Sequence, residues 1–257
     1  MTVDINPNAL GLPLTTLLTL VGGLGALAWT LRQAPVFALT RADAYAIALR
    51  TTLWAILGGR LLHVVDYADF YLDVPFQAFY LWNGGLSLWG ALIVGAVGVL
   101  WHARRRRASL AAFVDHLALA GLAVVAAGRL GDLLAGERIG TATSLPWAVT
   151  YANAGSNAFD AGATHPVAAY ELLLIGAIVV ALVMIKRRLR PGWALHLAFA
   201  GYAVARFAIG FATVERTHLG LGLSQWITLA VFAAIAWYAF TRWDRILLAP
   251  DSETNQA

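Results

Sequence analysis

The residues with the most chemical content lie in one short stretch, Gly128 to Gly140, which reads GRLGDLLAGERIG. Arg129, Asp132, Glu137 and Arg138 follow one another closely there, at the end of a long apolar run. A cation inside hydrocarbon or at its edge costs about 3 kcal/mol or more, so an arginine in that place marks a functional site unless it merely snorkels to the interface. The four glycines Gly128, Gly131, Gly136 and Gly140 allow close backbone approach, by a neighbouring helix or by a ligand headgroup. Arg60 and Arg206 likewise fall late in long apolar runs. A guanidinium fork matches phosphate oxygens in pairs, so the chemistry these types suggest is recognition of a phosphate.

The elements that must position these side chains are membrane helices. The chain is 60% hydrophobic and 12% charged over 257 residues, and a soluble domain carries about twice that charged fraction. Seven apolar runs, at about 12–32, 44–65, 84–102, 111–134, 166–185, 193–212 and 222–240, approach the roughly 20 residues a bilayer requires. They predict an all-α integral membrane protein, a seven-transmembrane-helix bundle with a small outer-facing head segment at about 136–164. Residues 1–245 read as one domain and 246–257 as a polar, disordered cytoplasmic tail. Trp82, Trp101 and Tyr170 sit where interfacial aromatics belong. The first basic residue is Arg32, after the first apolar run, which predicts that this run stays as a membrane helix.

Orientation follows from the short loops. Arg32 and Arg41, Arg104 to Arg107, Lys186, Arg187, Arg188 and Arg190, then Arg242 and Arg245 all fall on one side, twelve of the 18 Lys and Arg. The opposite side opens with Asp66, Asp69 and Asp73 and no basic residue. The N-terminus is therefore expected outside and the C-terminus in the cytoplasm. The Arg104–Arg107 run reads as a topology anchor that meets anionic inner-leaflet lipid rather than as a nucleic-acid patch. With this orientation Arg60, Arg129 and Arg206 reach a similar depth near the outer leaflet, where the available anion is a phospholipid headgroup. The other reading is three separate arginines, each paired with a carboxylate such as Asp66, Asp132 or Glu171.

The stretch 128–140 resembles the signature of the bacterial prolipoprotein diacylglyceryl transferases. Other segments match in order: Gly58-Gly59-Arg60-Leu61, the run Trp82 to Gly90, Ser144 to Val149, His165 to Glu171, Ala205-Arg206-Phe207 and Leu223 to Trp226. The likeness spans about residues 10–240. It implies an enzyme that moves the diacylglyceryl group of phosphatidylglycerol to the lipobox cysteine thiol of a lipoprotein precursor, in a bacterial plasma membrane. The partners implied are that lipid, that precursor and the membrane. Arg129 and Arg206 would stabilise the departing phosphate. Arg60, Asp132 and Gly140 would join them around the headgroup, and Glu137 would position the glycerol hydroxyls or pair with Arg138. The departures fall on reactive positions. The family's histidine is Trp89, whose indole is no base. Its asparagine is Asp132, its sixth-helix carboxylate is Gly210, its glutamine is Ala169 or a neighbour, and its first-helix tyrosine corresponds to Thr15 or Thr19.

A thiol acceptor needs a base. His165 or His63 could stand in for the missing one, and His165, next to Pro166, could instead cap a helix. No two histidines have ligand spacing, so neither metal nor other cofactor is expected. The absence of cysteine excludes disulfides, thiolate metal sites and a nucleophilic thiol of the chain's own. Two further readings remain beside the transferase. One is a catalytically impaired phospholipid-binding membrane protein of the same fold, favoured by Trp89, Asp132 and Gly210. The other is a small transporter or flippase, which the absence of inverted-repeat symmetry disfavours.

Overall fold

The computed structural model describes every residue except 10–11, 82–84, 106–109, 243–245 and 247–257. Trp82, Asn83, Gly84, Arg106, Arg107 and Arg245 therefore lie outside the described residues, as does most of the expected tail. The chain divides into two compact units, residues 29–114 and residues 1–28 with 115–257.

In the smaller unit, α2 (Arg41–Asp66) and α4 (Leu88–Arg105) pack side by side, with the short α3 (Ala68–Asp73) and a 3-10 turn at Pro75–Phe79 between them in sequence. Thr40 starts α2: its hydroxyl accepts from the Asp43 amide at 3.0 Å, and Asp43 in the first turn suits the positive end of the helix dipole. Small residues bring α2 and α4 together. A Cβ on Gly58 would run into Val94 and the Gly90 carbonyl, and one on Gly90 into the Gly58 carbonyl. Backbones that approach this closely replace the hydrophobic drive that helices in lipid lack.

The larger unit contains most of α1 (Leu14–Gln33) and α5 (Leu110–Ala135), and all of α6 (Val167–Ile185), α7 (Trp193–Gly210) and α8 (Leu223–Thr241). Along α1 and α5 the contact is again between small residues: Gly22 lies against Ala127, Thr19 against Gly128 and Thr15 against Gly131. Asp115 of α5 accepts the amides of Gly192 and Leu195 at 2.6 and 2.9 Å, which caps the start of α7. Residues 136–164, the segment expected as a head, connect α5 to α6. Its strand β4 (Thr150–Tyr151) pairs in parallel with β1 (Thr2–Val3), in register Thr2 with Thr150. Val3, Val149, Tyr151 and Ala158 close a local apolar core with Ile139 and Ala161. The larger unit also holds two short antiparallel pairs, β2 (Asn8–Ala9) with β3 (Leu12–Pro13) and β5 (Thr217–His218) with β6 (Leu221–Gly222).

Each of the seven apolar runs expected from sequence falls on one of the long helices α1, α2 and α4 to α8. By length and composition five spans are apolar enough to cross a bilayer: Leu14–Phe37, Ala111–Ala135, Val167–Arg188, Trp193–Gly210 and Leu223–Thr241. α4 is apolar over the shorter stretch Leu88–His102, and α2 carries Arg50 and Arg60 within its length. Leu24, Leu57, Leu173, Met184, Trp237 and Phe240 are all exposed. So much apolar surface is what a lipid-embedded chain presents and a water-soluble one avoids. The chain is a multi-span, mostly helical membrane protein.

Candidate functional site

Arg129 and Asp132 stand one helical turn apart near the end of α5, so their side chains share a face, and Arg129 Nη1 pairs with Asp132 Oδ2. The chain leaves α5 through Gly136, whose φ of 67° is the left-handed conformation that favours glycine at a helix end. A side chain there would also strike the Tyr151 ring and the Ser156 hydroxyl. Beyond this turn the next two residues diverge. Glu137 accepts from Asn157 Nδ2 at 2.6 Å. Arg138 turns instead toward Glu171 and Glu215. The pairing of Glu137 with Arg138 entertained from sequence is not formed: adjacent residues at this turn point to different partners.

Glu171, in the second turn of α6, is the centre of the site and is 0% exposed. Arg129 Nε lies 2.8 Å from its Oε1, and Arg206 Nη1 lies 3.3 Å from its Oε2. Arg138 Nη1 is more distant at 3.9 Å. The Tyr202 hydroxyl donates to Oε1; Tyr202 and Arg206 sit four residues apart on α7 and so address Glu171 together. On the far side of the guanidiniums, Glu215 accepts from Arg206 Nη2 at 3.2 Å, from Arg138 Nη2 at 3.4 Å and from the Ser224 hydroxyl at 2.7 Å. The result is a cluster of three arginines and three carboxylates: Arg129, Arg138 and Arg206 with Asp132, Glu171 and Glu215. Buried charges persist only when paired this thoroughly. Even so, Nε of Arg129 and Nε of Arg138 have no hydrogen-bond partner among the described residues. The 2.8 Å approach of Arg129 Nε to Glu171 is an ion pair too far off line for a hydrogen bond.

Outside the helices, burial tunes the neighbouring groups. It raises the Glu137 carboxyl above its ordinary range, and the charge of Asp132 adds to that. Burial, then repulsion from Arg206 and Arg129, lowers Arg138 to about 10, which still leaves it a cation at neutral pH. Tyr151 is pushed up to about 12, first by burial and then by Asp132. It stays a phenol and donates to the Leu133 carbonyl at 2.8 Å, tying the head to the end of α5.

Of the residues singled out from sequence, Arg129, Asp132 and Arg206 are brought together, and they share a site rather than forming separate pairs. Arg60 is occupied differently. In its own unit it donates to the carbonyls of Gln77, Ala78, Gly85 and Tyr80 at 2.5, 2.8, 3.0 and 3.3 Å, which staples the segment after α3 onto α2. Gly140 lies against the His165 carbonyl so closely that any Cβ would collide with it. His165 makes no side-chain cap on α6. Its Nδ1 lies 3.1 Å from the Tyr170 hydroxyl, which also accepts from Trp147 Nε1 at 2.7 Å. For His165 to act as a base through Nε2, its proton must reside on Nδ1 and be donated to Tyr170. Trp89 is buried in the first turn of α4, 2% exposed. At Gly210, a Cβ would press on the Gln225 side chain at 2.6 Å, so a carboxylate has no room there as the chain is packed.

Two members of the cluster were not singled out from sequence. Tyr202 carried a legible signal, being one helical turn before Arg206. Glu215 carried a weaker one, as the single acidic residue between α7 and α8.

Known proteins resemble this chain over most of its length. The sequence model of the prolipoprotein diacylglyceryl transferase family matches residues 12–241. A phosphatidylglycerol–prolipoprotein diacylglyceryl transferase of Bordetella parapertussis is 34% identical over 212 residues, 79% of this chain and 79% of that protein. Two from Streptomyces coelicolor are 37% and 35% identical, over 70% and 75% of this chain. The matched region spans only 61% and 58% of those two proteins, about three fifths of their length.

Proposed function

Because the chain belongs to the prolipoprotein diacylglyceryl transferase family, we propose that it transfers diacylglyceryl from phosphatidylglycerol to a lipobox cysteine thiol. We place this reaction at the outer face of a bacterial plasma membrane, in a seven-span bundle with the N-terminus outside and the C-terminus in the cytoplasm. The observation that carries the proposal is the convergence of Arg129, Arg138 and Arg206 on one buried site. In this transfer the thiol gives up its proton and its sulfur attacks the glyceryl carbon bearing the phosphate. A C–S bond forms, the C–O bond breaks, and glycerol phosphate departs with the electron pair. The phosphate goes from one negative charge to two as it leaves. Guanidiniums fixed at that point hold the leaving group more tightly than the bound lipid, which is the condition for lowering the barrier. Glu137, held by Asn157 beside the cluster, is suited to the glycerol hydroxyls. The head segment 136–164 would receive the peptide.

Trp89 favours a second reading, a phospholipid-binding protein of the same fold whose chemistry is impaired, because indole cannot accept a proton. One experiment separates the two. Purified protein is incubated with phosphatidylglycerol and a lipobox peptide, and glycerol phosphate release and the mass shift on cysteine are followed. Active wild type with His165 as base requires His165→Ala to lose about 10²–10⁴-fold. An enzyme that has lost its base should gain activity in Trp89→His. If wild type and both variants are inert while still binding the lipid, the binding protein is the correct reading.

A further inference from the structure

The cluster is electrically complete without a ligand. Among the described residues three guanidiniums are ion-paired with three carboxylates, so this paired cluster has no net positive charge with which to attract a phosphodiester monoanion. Binding such an anion among these arginines requires one carboxylate to give way. The three are not equally held. Glu171 is fully buried, bonded to Tyr202 and flanked by Arg129 and Arg206. Asp132 is buried on the same helix as its partner. Glu215 differs in exposure and in placement: its side chain is 26% exposed and it sits in the connection between α7 and α8, where it meets Arg206 and Arg138 at 3.2 and 3.4 Å.

We infer that Glu215 is a displaceable counter-ion, which occupies the place of the phospholipid phosphate between Arg138 and Arg206 and yields it when lipid binds. The inference rests on the phospholipid reading above and goes beyond it by naming what fills the phosphate position beforehand. The hydrogen bond from Ser224, at 2.7 Å, gives Glu215 a neutral partner to keep as the arginines are released. Gly222 leaves the room: its Cβ would lie 2.8 Å from a Glu215 carboxylate oxygen. Arg138 supplies the opening on the other side, since its Nε is unbonded among the described residues and its two Nη contacts are the weakest in the cluster. With Glu215 aside, the remaining charges sum to one positive, which matches a phosphodiester.

The test is lipid binding by the full chain in detergent, measured by native mass spectrometry against phosphatidylglycerol and against neutral phosphatidylcholine. Glu215→Gln keeps the shape and removes the charge. It should bind phosphatidylglycerol about ten- to a hundredfold more tightly than wild type, the equivalent of the charge-assisted bonds no longer displaced, with phosphatidylcholine unchanged. A merely structural glutamate would give weaker binding in the variant, so the gain is diagnostic. Glu215→Ala, which also removes the competing charge, gives the second measurement if Glu215→Gln does not fold, and should likewise bind phosphatidylglycerol more tightly than wild type. Inorganic phosphate and glycerol phosphate form the soluble arm. A gain confined to them would mean a free-anion site and would overturn the lipid counter-ion. Preference for phosphatidylglycerol in wild type with no gain in Glu215→Gln overturns the counter-ion alone. No preference in any form removes the phospholipid reading and this inference with it.

Discussion

Arg129 pairs with two carboxylates of the site at once, Asp132 and Glu171. Its side chain is 13% exposed, so those pairs are made largely out of water. Arg129→Ala is expected to weaken binding of an anionic phospholipid by about 1.5–3 kcal/mol, the value of a hydrogen bond to a charged group. Arg129→Lys should recover only part of this, because a point charge cannot reach Asp132, Glu171 and a phosphate through one planar fork. The alanine variant also leaves Asp132 buried without its partner, which costs stability in its own right. The comparison therefore belongs at equal folded fraction, checked by thermal unfolding in the same detergent. Equal phosphatidylglycerol affinity in wild type and Arg129→Ala would remove Arg129 from the headgroup site.

At the scale of the elements, small residues decide how closely helices meet. Gly58 and Gly90 place α2 and α4 in backbone contact. Gly58→Ala should destabilise the protein by about 1–3 kcal/mol, the cost of overpacking a tight interface, read as a lower unfolding midpoint. An unchanged midpoint would mean that the two helices part without cost. The same scale shows what the sequence could reveal. Apolar runs of membrane length are readable one residue at a time, so α5, α6, α7 and α8 were legible to within a few positions of their ends. Arg129 and Arg206 were legible as well, because a cation in an apolar run is costly wherever it points. The identity of their partners was not. Whether Glu171 serves one arginine or three depends on how α5, α6 and α7 are turned about their axes, and periodicity carries little of that when a helix is apolar all round. Arg60 looked the same as Arg129 in sequence, yet among the described residues its guanidinium donates to four backbone carbonyls. Only the path of the chain after α3, which no local pattern encodes, brings those carbonyls to Arg60.

For the whole molecule, the decisive quantity is which way the helices run, because the proposed chemistry needs the arginine cluster at the outer leaflet. Basic residues in short loops set orientation, and here the loop 186–190 carries Lys186, Arg187, Arg188 and Arg190 while the head around Tyr151 and Asn157 carries none between residues 139 and 164. The chain contains no cysteine, so single cysteines can be introduced without a background. Ala154→Cys reports on the head and Pro191→Cys on the loop between α6 and α7; both positions are exposed and neither changes a charge. In intact cells stripped of any outer barrier, a membrane-impermeant maleimide should label position 154 and leave position 191 unlabelled until the membrane is opened. The two sites flank α6, so a single crossing must separate them, and the labelling must differ. If position 191 reacts first and position 154 is protected, the bundle is inverted. Arg129, Arg138 and Arg206 would then face the cytoplasmic leaflet, where a lipoprotein precursor's lipobox is not delivered across the membrane, and the transferase reading would lose its geometry while the anion site itself remained.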